Sequence, residues 1–212
     1  MPSGQYDVTE TRRRHTTAMD VASPIPAEPT AGNSRPPSSA PQDGPRYARL
    51  FLALWPALAE NSALLAYQQQ WLWPKGSSPV PTERLHLTLH FIGAVERPRL
   101  EAVSAGLRVA VTPFELPLTQ AAIWPRGLAV LQTSAIPEAL KELHGRLGEA
   151  LQALALPVES RPFRPHVTLA RRAAGTIAPA AAPTLLWQIG SYVLVESLPG
   201  ATGGYRIRRR YP

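Results

Sequence analysis

The sequence predicts an α+β domain in which helices cover the outer faces of antiparallel sheets. Two observations carry this reading: the elements run in the order β-α-β-α-β-β-α-β-β-β, and only three helices are interleaved with the strands. Leu50-Phe51-Leu52-Ala53-Leu54-Trp55 is a short continuous apolar run ended by Pro56, which fits a buried strand. Residues 57–72 then read as a helix with Leu58, Leu65 and Leu72 spaced by sevens, closed by Trp73-Pro74. After a Gly, Ser and Pro loop, Arg84–Gly93 reads as a second strand. Pro98 opens a helix whose Leu100, Val103 and Leu107 share a face. Phe114–Trp124 and Leu128–Thr133, joined by Pro125-Arg126-Gly127, form an expected hairpin. Helix 138–155 is the clearest element, with Leu140, Leu143, Leu147, Leu151 and Leu154 in one stripe. A strand at about Phe163–Ala170 and a closing pair, Trp187–Leu198 and Tyr205–Tyr211, complete the series.

The chain has 212 residues, enough for a core of its own. Residues 1–45 are rich in Pro, Ser, Ala, Thr and Gly without apolar periodicity and read as a disordered tail, so the folded domain is expected to span 46–212. The sequence contains no cysteine, which excludes disulfides, Cys-ligated zinc, iron–sulfur clusters and thiol nucleophiles. The longest nearly unbroken apolar run, Leu50 to Ala59, falls far short of the ~20 residues that span a bilayer. Arg12-Arg13-Arg14 is followed by His15-Thr16-Thr17 where a signal peptide needs an apolar stretch, so a cytoplasmic protein without membrane association is expected. The formal charge is +7, and residues 46–212 carry 18 basic against 10 acidic side chains. Such a surface suits a polyanion such as RNA, although 20 arginines to 2 lysines is equally consistent with a compositional bias.

Two tetrapeptides repeat 80 residues apart: His86-Leu87-Thr88-Leu89 and His166-Val167-Thr168-Leu169. This composition gives an expectation of about 0.04 copies of His-x-Thr-Leu, so two by chance has odds of about one in a thousand. On a strand, His and Thr at i and i+2 share a face while the intervening residue turns inward. Paired imidazoles near pKa ~6.5 suit a general acid and base, and hydroxyls beside them suit the oxygens of a phosphodiester.

On these motifs, together with Arg49-Leu50-Phe51-Leu52-Ala53-Leu54, the stretch Leu85–Gly93, Phe163–Arg171 and the closing Glu196-Ser197 to Tyr211-Pro212, the chain resembles the 2H phosphoesterases. Within them it resembles the bacterial and archaeal RNA 2′,3′-cyclic phosphodiesterases, also called 2′-5′ RNA ligases, over roughly 46–212. The resemblance implies two pseudo-symmetric lobes of antiparallel sheet with outer helices around a central cleft that receives one His-x-Thr from each. It implies hydrolysis of RNA 2′,3′-cyclic phosphate ends to 2′-phosphomonoesters, with 2′-5′ joining of RNA ends as a reverse activity. It further implies a proton donor at His86, a proton acceptor at His166, phosphate contacts from Thr88, Thr168 and Arg171, no metal or other cofactor, and a monomer. Arg171 has the competing reading of a solvated strand-end arginine.

His90 shares the face of His86 and Thr88 if its strand is regular, or sits at the strand end. Its spacing from His86 would suit zinc on a helix, not on a strand. His144 lies at the edge of the leucine stripe and reads as a boundary residue. Phe51, Trp124 and Tyr205 are candidates to stack on a base or to cover the core. A non-catalytic RNA-end binder, and the same chemistry on a small cyclic nucleotide, are the competing functions.

Overall fold

The computed structural model describes residues 46–181, 183–200 and 203–212; the tail read at 1–45 lies outside the described residues. The strands are β1 (Tyr47–Leu54), β2 (Ser78–Pro79), β3 (Leu87–Glu96), β4 (Phe114–Leu118), β5 (Gln120–Trp124), β6 (Leu128–Gln132), β7 (His166–Arg171), β8 (Leu185–Ile189), β9 (Tyr192–Ser197) and β10 (Tyr205–Tyr211). The helices are α1 (Leu58–Gln68), α2 (Leu100–Gly106) and α3 (Glu138–Ala153). As expected, the fold is mixed α+β with antiparallel pairing and few helices.

The main sheet runs β10-β9-β1-β3-β7-β6-β5, with β4 and β8 forming a separate two-stranded sheet. Its two halves, β10-β9-β1-β3 and β7-β6-β5, meet through a single described residue pair, Leu87 opposite Val167. β2 covers the end of β7 that β3 leaves open, pairing Ser78 with Arg171 and Pro79 with Ala170. A proline is tolerated there because β2 is a short edge strand. The helices cross over. α1, which follows β1, packs against β8, whereas α3, which precedes β7, packs against β3.

Two expected strands are each two. Phe114–Trp124 breaks at Thr119, because β4 pairs with β8 while β5 turns away to pair with β6. Residues 187–198 break at Gly190-Ser191, so that β8 and β9 enter different sheets. The α1 stripe is also corrected. Leu58 and Leu72 are 84% and 68% exposed, and the buried face is Leu64, Tyr67 and Gln68. A spacing of seven fits an i, i+3, i+4 face of either phase; what decides here is that the helix ends at Gln68, before Leu72, and aims Gln68 inward at backbone carbonyls. α3 buries Leu140, Leu143, Leu147 and Leu151 as its pattern demands. Pro137 precedes it and Glu138 places an anion at its positive end.

Gly127 closes the β5–β6 turn at φ 68°, and its carbonyl accepts the Ala173 amide at 2.8 Å, tying this turn to the loop after β7. A Cβ at 127 would lie 2.5 Å from the Ala174 nitrogen, which is backbone and cannot swing aside. Gly127→Ala should therefore lower unfolding free energy by at least ~2 kcal/mol through left-handed backbone strain plus the clash. A chemical denaturation midpoint equal to wild type would contradict this.

Candidate active site

Both His-x-Thr-Leu segments fold alike. Leu87 and Val167 point into the core and are fully buried, while the flanking His86, Thr88, His166 and Thr168 are half-buried on the opposite face. Because Leu87 and Val167 are antiparallel partners, the register sets His86 toward Thr168 and Thr88 toward His166. In each segment the leucine after the threonine is an extra residue. β1 pairs Ala53 with Thr88 and Leu52 with His90, skipping Leu89; β6 pairs Val130 with Thr168 and Ala129 with Ala170, skipping Leu169. These are two matching bulges, and each reverses the facing of the residues beyond it.

The reversal corrects the regular-strand reading of His90. It lies on the core face, 2% exposed, and its Nε2–H donates to the His144 carbonyl at 2.9 Å. His144 is not a simple boundary residue: its ring is stacked between His90 (4.0 Å) and Phe163 (3.9 Å) and donates to the Leu89 carbonyl. The bulge at Leu169 is held in a matching way, for its carbonyl accepts Gln68 Nε2 at 2.7 Å and the Val80 amide at 2.8 Å. Each bulge is thus clamped by a side chain from a helix: Gln68 of α1 at β7, His144 of α3 at β3.

The second consequence concerns the fifth residue after each histidine. With one extra residue in the strand, Arg171 turns back to the cleft in one half and Phe91 in the other. A cleft of about 430 Å³ is lined by His86, Thr88, His166, Thr168 and Arg171 together, with Phe91, Arg84 and Tyr205. All five residues singled out in the sequence therefore share one cavity. Arg171 has no acidic partner among the described residues. Among the described residues no group of three or more His, Cys, Asp or Glu side chains is placed to hold a metal ion.

The imidazoles are oriented identically. His86 Nδ1 lies 2.6 Å from the Arg84 carbonyl and His166 Nδ1 lies 2.7 Å from the Arg164 carbonyl. A carbonyl only accepts, so each Nδ1 carries the proton and each Nε2 is left for proton exchange. The surroundings differ. Trp55 stacks flat on His86 at 5.4 Å, with Phe51 at 5.1 Å and Tyr205 edge-on at 5.3 Å, whereas His166 meets Trp124 at 4.4 Å, over which Arg164 lies at 4.3 Å. Phe51, Trp124 and Tyr205 are therefore walls of the histidine sites. Burial, above all, lowers both histidine pKa values, opposed by the backbone carbonyls. Positive charge lowers them further: His166 and Arg171 act on His86, Arg164 and Arg171 on His166.

Sequence reasoning missed Arg84, Trp55, Gln68 and Phe91. For Arg84 a signal existed: arginine precedes both histidines by two, so the repeat is Arg-x-His-x-Thr-Leu. Arg84 also donates to the Gly203 carbonyl and lies over the Tyr205 ring at 6.0 Å, holding β10 against the site.

Two imidazoles, two hydroxyls and an arginine without an acidic partner among the described residues share one cleft, a set of groups that suits acid–base cleavage of a phosphoester. The chain belongs to the 2′-5′ RNA ligase superfamily, which it matches over residues 66–198. It is 34% identical to the RNA 2′,3′-cyclic phosphodiesterase of Thermus thermophilus, over 70% of this chain and 81% of that protein. Identity to the Escherichia coli protein of the same description is 33%, over 77% of this chain and 92% of that one. The crystal structure of E. coli LigT complexed with 3′-AMP superposes with a TM-score of 0.69 at 25% identity, covering 78% of this chain and 97% of that one.

Burial first, then the charge of His90, hold the His144 pKa down to about 4, from 6.5. The unfolded chain thus binds a proton at this residue at pH values where the folded one does not. The stabilisation is complete above 6.5 and is lost as pH falls toward 4. His144→Phe, which keeps the stack but cannot titrate, should show a shallower fall of Tm between pH 6.5 and 4 than wild type. Parallel curves would mean that His144 contributes nothing to the acid transition.

Proposed function

We propose that residues 46–212 hydrolyse 2′,3′-cyclic phosphate at RNA ends to 2′-phosphomonoesters by a two-histidine mechanism that needs no metal. What supports this most is the matched placement of the two imidazoles, each with its Nδ1–H committed to a backbone carbonyl and its Nε2 open to one shared cleft. Similarity to proteins described as RNA 2′,3′-cyclic phosphodiesterases supports the choice of substrate. In this reading water attacks phosphorus as one Nε2 takes its proton. The bond from phosphorus to the 3′ oxygen breaks as the other Nε2–H protonates that oxygen, leaving a 3′ hydroxyl and a 2′-phosphate. Thr88 and Thr168 donate to the non-bridging oxygens, and the Arg171 guanidinium offsets their charge. A 5′ hydroxyl in place of water would give a 2′-5′ linkage by the same proton transfers.

The charges favour His166 as base and His86 as acid. Arg164 is a permanent cation that disfavours protonated His166. Part of what disfavours protonated His86 is His166 itself, and that part vanishes when His166 is neutral. In terms of neighbouring charge alone, the state with His86 charged and His166 neutral is less opposed than its mirror, while burial opposes charge on both rings. The same site acting on small cyclic nucleotides, or binding RNA ends without turnover, is separated from this reading by one assay: purified protein is incubated with oligonucleotides and mononucleotides ending in 2′,3′-cyclic phosphate, and the end groups are then analysed.

His86→Ala and His166→Ala should each cut turnover by the ~10²–10⁴ characteristic of a lost acid or base, with the fold intact by circular dichroism. Turnover near wild type in both variants would remove the mechanism. The kcat/KM profile against pH should be bell-shaped, with apparent values that belong to the pair. Since the Arg171 charge lowers both imidazole pKa values, Arg171→Met should move both limbs to higher pH. Limbs that stay put or move down would place Arg171 outside the site.

A further inference from the structure

The scaffold around the cleft is two-fold, but the fifth residue after each histidine is not the same on the two sides: Arg171 in one half, Phe91 in the other. Phe91 is 63% exposed, an aromatic ring left open beside a polar cleft. It lines the catalytic cleft and also an adjoining cavity of about 590 Å³ on the β1–β9–β10 side, within the size range of small-ligand sites. That cavity runs along one face of β1. From the His86 end outward, this face presents Ala53, Phe51, Arg49 and Tyr47. Phe91 stands opposite Phe51 across the strands, its ring 6.2 Å away, and Ser197 and Tyr205 close the far side beside Arg49. Arg49 is exposed and has no acidic partner among the described residues, while the one carboxylate in the cavity wall, Glu196, is buried and neutralised by Arg97 at 2.9 Å and Arg208 at 3.5 Å.

We propose that this face is the track for the RNA strand on the 5′ side of the cyclic phosphate: the penultimate base stacks on Phe91 and the phosphate preceding it is held by Arg49. The inference rests on the reading of the cleft as a site for RNA ends. Its occupant must carry a flat apolar surface and an anion one strand pleat apart along β1, since Arg49 is two residues, or about 7 Å, beyond Phe51. A nucleotide of single-stranded RNA has both, and aromatic stacking accepts any base. An asymmetric substrate accounts for the asymmetric pair. Its reacting phosphate needs the cation at Arg171, and its neighbouring base needs the ring at Phe91. A cyclic mononucleotide would leave the track empty.

The test is a titration, monitored by tryptophan fluorescence, of full-length protein with a 5′-phosphorylated dinucleotide ending in a 2′-phosphate, which carries the phosphate preceding the penultimate base, and with the corresponding mononucleotide 2′-phosphate. Wild type should bind the dinucleotide at least ten-fold more tightly. Phe91→Ala, and Phe91→Leu as an apolar replacement for an exposed residue, should each abolish most of that advantage. Arg49→Met should reduce it and lower the slope of log Kd against log salt by about 0.7. Equal binding of the two ligands by wild type, or an advantage that survives these substitutions, overturns the track. The two cyclic forms are assayed for turnover in parallel. An advantage without turnover keeps the track and removes the enzyme reading, and turnover without an advantage does the reverse.

Discussion

Everything in the cleft hangs on one antiparallel pair, Leu87 against Val167. It joins the two halves of the main sheet, and the four polar residues of the repeated motifs bracket it. Both side chains are fully buried, and each contributes about 1.5–3 kcal/mol by leaving water. The larger consequence is one of register. Side chains alternate with a period of two, so slipping this pair by one residue would send histidine and threonine into the core and leucine and valine into the cleft. Hydrophobic burial at 87 and 167 is thus what aims the polar groups at 86, 88, 166 and 168.

So short a junction needs support, and the bulges supply it. Skipping Leu89 and Leu169 frees a carbonyl in each strand from the ladder, and an unpaired buried carbonyl is costly. Gln68 together with the Val80 amide pairs one, and His144 the other. Since Gln68 belongs to the helix after β1 and His144 to the helix before β7, each half of the chain fastens the motif contributed by the other. The junction is therefore held by cross-braces as well as by its own hydrogen bonds. Both braces work by polar side chains turned inward, which is why α1 buries a glutamine at the end of its apolar face.

The same physics decides which features are legible in the sequence. The repeat is visible because both strands solve one problem with one set of residues, and the α+β class and α3 are visible because strand alternation and a 15-residue leucine stripe are local patterns. The features that stay hidden are those that depend on pairing. Thr119 and Gly190 separate strands only because their neighbours belong to different sheets. His90 faces the core only because β1 skips Leu89. The α1 stripe misleads because leucines at sevens cannot say which of two adjacent faces a short helix buries, and here a polar residue, Gln68, decides it. The cleft set of His86, Thr88, His166, Thr168 and Arg171 is legible from spacing and resemblance, and its geometry brings all five to one cavity.

The departures from symmetry carry as much information as the symmetry. Backbone, bulge, carbonyl partner and preceding arginine are duplicated around His86 and His166. The aromatic surroundings are not: three rings enclose His86, while one ring and a nearby guanidinium flank His166. A two-fold scaffold left undecorated would give both imidazoles the same pKa, and neither would be preferred as donor. Under the proposed mechanism the Arg164 charge that acts on His166 and the three rings around His86 separate their roles without disturbing the shared fold. The differences lie in side chains around the two histidines, so the division of labour requires no change in the register that holds the site together.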